Sequence, residues 1–176
     1  MAKVLFVAVG ADNVSVEVLS QELKLAGHDA DLLFERALFD DKMYYTIPWL
    51  SSMLSTEKEL LEQAIRFGPD VIAFTVLVDT YHWALDFATK LKQVVDAPVV
   101  FGGIQAMTSG DICLENRQVD AVCVGEAHDC LVALADSLDA GRGFEDVRNF
   151  WFKDADGNVI KNPYSPVLEE LDTLPY

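Results

Sequence analysis

Val99-Val100-Phe101-Gly102-Gly103 is an apolar strand that runs directly into two adjacent glycines. Without β-carbons the backbone there accepts positive φ and leaves room for a ligand or a second chain segment to pass close by. Upstream, Val71-Ile72-Ala73-Phe74-Thr75-Val76-Leu77-Val78 is a longer apolar run with a polar exit at Asp79-Thr80. Downstream, Ala121-Val122-Cys123-Val124 closes on Gly125-Glu126. Each strand stops at small or polar residues and is followed by a helical pattern. That arrangement predicts a parallel sheet whose functional rim is its carboxyl edge.

Working outward, Lys3 to Val9 reads as a central strand, apolar on both faces and turned by Gly10-Ala11-Asp12-Asn13. Val14, Val18, Leu19, Leu23, Leu25 and Ala26 recur at helical spacing until Gly27, which suits the position just past a helix end. His28 to Phe34 is a second strand, nearer an edge because its first half is polar. His28, on the rim opposite Gly102, reads as a solvent-facing turn residue. From Glu35 to Ser55 no period holds, and Phe39, Met43, Tyr44, Tyr45, Ile47, Pro48 and Trp49 suggest either a covering loop or a short extra helix. Ser55-Thr56 precedes acidic first-turn residues of a helix stopped by Gly68-Pro69, and Thr80 stands as the cap of the next. A short helix follows Gly103, and a longer one covers Ala127 to Ala140. Residues 149–161 then read as a hairpin with an Asp-Gly turn, and Asn162-Pro163, Ser165-Pro166 and Leu174-Pro175 as a linker.

These elements predict an α/β, doubly wound, flavodoxin-like sheet of five parallel strands in the order 2-1-3-4-5, with a C-terminal hairpin and linker. Residues 1–146 form the ligand-binding domain on this reading, and 147–176 lead towards a further domain. The ligand crevice is expected at the switch between the first and third strands.

A chain of 176 residues with 51% hydrophobic and 24% charged residues has the composition of a globular domain. Its 13 basic against 29 acidic residues leave a net charge of −16 with no basic run, which argues against nucleic acid and anionic membrane as partners. No apolar stretch approaches the length of a membrane span, and the start lacks the pattern of a signal peptide. Cys113, Cys123 and Cys130 fit neither a disulfide framework nor a zinc or iron–sulfur pattern, and Cys123, mid-strand, reads as a core residue. A reducing, cytoplasmic setting is the expectation.

The candidate rim comprises Gly10, Asp12, Asn13, Val14 and Ser15; Thr75, Leu77, Val78, Asp79 and Thr80; Gly102, Gly103, Ile104 and Gln105; and Gly125 with Glu126. No nucleophile stands out among them. Asp12 and Glu126 are read as helix caps before an acid–base pair, and His82 and His128 as surface residues that start helices. With no Gly-x-Gly-x-x-Gly and no phosphate loop, the rim is a shelf of small and apolar groups, suited to a large, mostly apolar ligand.

Thr75-Val76-Leu77, followed after 24 residues by Gly102-Gly103, resembles the Ser/Thr-x-Leu and Gly-Gly elements of cobalamin-binding domains. Phe101-Gly102-Gly103-Ile104, then Val119-Asp120-Ala121-Val122-Cys123-Val124-Gly125-Glu126, resembles more narrowly the amino-terminal cobalamin domain of radical SAM (S-adenosylmethionine) enzymes. Leu171-Asp172-Thr173-Leu174-Pro175 resembles that family's linker into its catalytic barrel. The resemblance implies cobalamin as cofactor, its tail entering beside the glycine pair and its corrin on the rim. It implies a C-terminal radical SAM barrel as partner domain, carrying the iron–sulfur cluster and S-adenosylmethionine, since no Cys-x-x-x-Cys-x-x-Cys occurs here. In cobalamin domains with a histidine lower ligand the first turn carries Asp-x-His-x-x-Gly, whereas this chain reads Asp12-Asn13-Val14-Ser15-Val16-Glu17. The resemblance therefore implies base-off binding without a histidine ligand, and methyl transfer or rearrangement by the fuller protein. After the glycine pair, relatives' His-Pro is replaced by Gln105-Ala106.

Two other readings compete with it. One is a cofactor-free signalling or interaction domain of the same fold; Asp12 and Asp79 partly imitate the acids of a receiver domain, but no lysine ends the later strands of this chain at the rim. A flavin carrier would want a hydroxyl- and glycine-rich phosphate loop, which Gly10-Ala11-Asp12-Asn13 does not supply.

Overall fold

The computed structural model describes residues 1–10, 14–36, 40–41, 45–46 and 56–166. The main strands are β1 (Lys3–Val9), β2 (Asp29–Glu35), β5 (Val71–Thr75), β6 (Val99–Gly102), β7 (Ala121–Cys123), β8 (Phe150–Lys153) and β9 (Val159–Lys161). Between β2 and β5, β3 (Asp40–Asp41) and β4 (Tyr45–Thr46) make a separate antiparallel pair. The helices described are α1 (Val14–Leu25), α2 (Glu57–Phe67), α3 (Tyr81–Val94), α4 (Ile104–Leu114) and α5 (His128–Asp139). Most of the aromatic stretch around Phe39 to Trp49 lies outside the described residues, as do Asp12, Asn13 and the segment from Leu171 to Pro175.

The sheet order is β2-β1-β5-β6-β7-β8-β9. The first five strands are parallel and stand in the expected 2-1-3-4-5 order, but the sheet has seven strands rather than five. The hairpin is the reason: β8 pairs antiparallel with β7 through Ala121↔Phe152 and Cys123↔Phe150, and β9 pairs with β8. Phe150 and Phe152 face the core, so the hairpin has one apolar side to bury and takes the open edge of β7 to do it.

Period-two alternation splits the core in two. Leu5, Val7, Ile72, Phe74, Phe101 and Val122 face α2, α3 and α4, while Val4, Phe6, Ala73, Val100 and Cys123 face α1 and α5. Local stop signals set the helix ends. Gly68 takes a left-handed conformation after α2, with its amide donating to the Ala64 carbonyl, and Gly27, also at positive φ, ends α1.

Four local expectations change. The apolar run from Val71 leaves the sheet after Thr75. Leu77 N–H donates to the Thr80 hydroxyl at 3.0 Å, a side-chain turn that lifts Leu77 and Val78 into solvent. Thr80 therefore occupies the N-cap position of α3 without a side-chain capping bond. Thr56 likewise gives its hydroxyl to Glu35 and not to α2. His28 is buried, not exposed: its Nδ1 accepts the Ala2 N–H at 3.2 Å and its Nε2 lies 3.1 Å from Asp136 on α5.

Candidate functional site

Beneath the carboxyl edge, a cavity of about 200 Å³ opens between the sheet and the helices α1 and α5. Phe6, Ala73, Val100, Cys123 and Phe150 supply its sheet wall, Ser15 and Leu19 come from α1, and His128 and Leu131 from α5. Thr75, Gly102, Gly103, Gly125 and Glu126 stand at its carboxyl end. The space follows from small residues falling in register. Ala73 pairs with Val100, Thr75 with Gly102, and Val100 with Ala121, so little side-chain volume projects towards α1 and α5 across three adjacent strands.

The two glycines of the pair have different reasons for being glycine. At Gly103, φ is +86° and a Cβ would lie 2.9 Å from the Val76 carbonyl oxygen, so the protein's own backbone requires the residue. The approach is fixed by Gln105 N–H donating to the Val76 carbonyl at 3.1 Å and by Val76 N–H donating to the Gly102 carbonyl at 2.9 Å. Gly102 has no such constraint: its φ is ordinary, and a Cβ would meet only the Phe74 carbonyl, at 3.7 Å. What its missing side chain leaves free is cavity.

Of the residues anticipated from sequence, Ser15, Thr75, Gly102, Gly103, Gly125 and Glu126 line this cavity. Val14, Leu77, Val78 and Ile104 are exposed apolar residues at the same carboxyl edge, Val14 at 71% and Val78 at 67% of full exposure. Gly10 and Asp79 are exposed there without lining the cavity. Gln105 is buried in α4 and Thr80 is committed to its turn.

Sequence reasoning missed the residues beneath the rim, chiefly Phe6, Leu19, Ala73, Val100, Cys123, Leu131 and Phe150. The signal was there in the alternation Ala73/Thr75, Val100/Gly102 and Ala121/Cys123, which aligns small side chains on one sheet face. It also missed Asn149, buried and at φ 65°. Asn149 Nδ2 donates to the Glu126 carbonyl at 2.7 Å and its Oδ1 accepts the Ser165 N–H at 2.7 Å, tying the loop between β7 and α5 to the tail.

His128 is not a free surface residue. Its Nδ1 lies 3.2 Å from Glu22 on α1 and its Nε2 3.7 Å from Glu126, so one imidazole braces the two helices that roof the cavity. Glu126 is no cap: Ala127 holds the N-cap position of α5 and no side chain caps the helix. His82 is exposed at the start of α3. Among the described residues no group of three His, Cys, Asp or Glu side chains is placed to hold a metal ion, and no helix is long and apolar enough to cross a membrane.

A family model described as B12 binding domain matches residues 7–135 of this chain. The chain is 25% identical over 164 residues to the anaerobic magnesium-protoporphyrin IX monomethyl ester cyclase of Rubrivivax gelatinosus, covering 90% of this chain and 27% of that protein. Two solved structures share the fold. One is the radical S-adenosylmethionine methyltransferase TsrM from Kitasatospora setae with cobalamin and a 4Fe-4S cluster bound; its TM-score is 0.71 at 17% identity, over 99% of this chain and 31% of that one. The other is the cobalamin-dependent S-adenosylmethionine radical enzyme OxsB with aqua-cobalamin bound, at TM-score 0.73 and 16% identity, over 95% of this chain and 23% of that one. The chain thus spans about a quarter to a third of the length of these relatives.

Proposed function

We propose, because the chain belongs to the B12-binding domain family, that it is the cobalamin-binding module of a radical S-adenosylmethionine enzyme whose chemistry is completed by a separate C-terminal barrel. The observation that carries this reading is the cavity reaching from Gly102 to the space between the sheet and α1 and α5. Its walls are mostly apolar, and Gly102 withholds a side chain that the protein itself has room for. The cavity is too small for a corrin ring and would take the cofactor's nucleotide tail. The exposed apolar side chains of Val14, Leu77, Val78 and Ile104 would hold the corrin.

When bound, cobalamin supplies a redox-active cobalt able to accept and donate a methyl group. The chain's part is to bind, orient and shield. Ser15 and Thr75 offer hydroxyls at the cavity, Leu19 and Leu131 exclude water, and the Glu22–His128 contact holds the roof. Val14, standing where a histidine ligand would, offers no nitrogen, so the chain would hold cobalamin base-off, without a histidine lower ligand. Methyl transfer or rearrangement belongs to the fuller protein, with the cluster and S-adenosylmethionine on the barrel, and residues 147–176 lead towards it.

The test is direct. The protein is mixed with hydroxocobalamin, or with flavin mononucleotide, then desalted and examined by visible absorption. Retained corrin bands with no retained flavin are expected; retained flavin, or neither, overturns the reading in favour of a flavin carrier or a cofactor-free interaction domain.

A further inference from the structure

Two of the three cysteines meet beside the cavity, Cys123 in its wall and Cys130 directly behind it. Cys123 ends β7 and lines the cavity, Cys130 lies in the first turn of α5, and their Sγ atoms are 3.8 Å apart as free thiols. The Cys130 thiol donates to the Glu126 carbonyl at 3.2 Å, and Asn149 Nδ2 approaches the same sulfur at 3.8 Å. Both thiols are buried, so the cavity that Cys123 lines gives a small reagent its way in.

The two sulfurs are chemically unequal. The hydrogen bond from Cys123, helped by Asn149, draws the Cys130 thiol below its ordinary pKa, whereas that bond and burial push Cys123 well above. The first turn of a helix also favours a thiolate. A thiolate in contact with a thiol lets the second sulfur capture the oxidised form of the first.

We propose that Cys123 and Cys130 are a reversible dithiol–disulfide site, closed by a small peroxide entering the cavity, and that closure and occupation of the cavity exclude one another. The second half rests on the cobalamin reading; the first does not. The Cys130 thiolate attacks one peroxide oxygen, an S–O bond forms, the O–O bond breaks and hydroxide leaves. Cys123 gives its proton to that hydroxide and attacks the sulfenic sulfur, forming the S–S bond and expelling a second hydroxide, which takes up the proton that Cys130 first released. Two thiols and one hydrogen peroxide become one disulfide and two waters, with two electrons passing from sulfur to oxygen. Closing from 3.8 Å to a bond of about 2.05 Å draws the first turn of α5 towards β7 and moves the wall that Cys123 shares with the cavity. A ligand seated there covers Cys123 instead.

The experiment uses the reduced chain, bare or loaded with hydroxocobalamin, treated with hydrogen peroxide, then denatured in alkylating reagent and cut with trypsin. No lysine or arginine lies between Arg117 and Arg142, so both thiols fall in residues 118–142, while buried Cys113 falls in 93–117 as an internal control. In bare protein, peptide 118–142 is expected to lose two hydrogens, escape alkylation and recover with dithiothreitol, while Cys113 stays alkylatable. With cobalamin at about ten times its Kd the free fraction, and the closure rate with it, falls roughly tenfold. Alkylatable or sulfinic cysteines in place of the disulfide overturn the proposal, and so does closure at one rate in bare and loaded protein. If no cobalamin is retained at all, the functional reading fails and the disulfide stands or falls on the bare protein.

Discussion

Gly103 stands against Val76 so closely that a β-carbon at 103 would lie 2.9 Å from the Val76 carbonyl oxygen. The contact joins the turn after β6 to the segment leaving β5, and Gln105 N–H closes it with a bond to the same oxygen. With φ +86° and ψ −171°, Gly103 occupies a region open essentially to glycine alone.

Gly103→Ala is therefore expected to act on folding. Backbone strain of this kind costs about 1–3 kcal/mol before the clash is counted. Urea denaturation should show a lower midpoint at unchanged slope, and an unshifted midpoint would show that the turn relaxes freely.

Gly102→Val separates binding from stability. Valine suits a strand and meets the Phe74 carbonyl at ordinary contact distance, so the melting temperature should stay near that of the parent. Its branched side chain fills the cavity mouth, and overpacking there costs about 1–3 kcal/mol, roughly ten- to a hundredfold in affinity. Equal hydroxocobalamin affinity in Gly102→Val and parent would place the tail elsewhere.

The lower face of the cobalt is read by electron paramagnetic resonance of the bound cobalt(II) form. Val14, exposed at the start of α1, offers no donor nitrogen. The parent should show no nitrogen superhyperfine splitting, and Val14→His should acquire a triplet pattern. A triplet in the parent would refute base-off binding without a protein ligand.

His28→Leu tests the opposite rim. Leucine fills the buried site but leaves the Ala2 N–H without its acceptor, and an unsatisfied buried donor costs about 1–3 kcal/mol. The loss should appear in chemical denaturation with cobalamin binding intact, since His28 lies at the amino end of β2. A variant as stable as the parent would mean that the Ala2 amide finds another partner.

Strand order, helix faces and the glycine-marked rim were legible in the sequence because they depend on local periodicity and on where apolar runs stop. The stretch Val99 to Gly103 placed the rim, and the spacing of Thr75-Val76-Leu77 to the glycine pair carried the family resemblance. Three features required the tertiary structure. The hairpin joins the sheet because β7 has an open edge, which the hairpin's own residues do not reveal. His28 is buried because Ala2 and Asp136, 26 and 108 residues away, close on both its nitrogens. The assignment of Gly103 to the fold and Gly102 to the cavity turns on which backbone atom lies within 3 Å of a missing β-carbon. Sequence shows that a side chain is absent at both positions; only the packing of Val76 against one and open space beside the other decides what each absence is for.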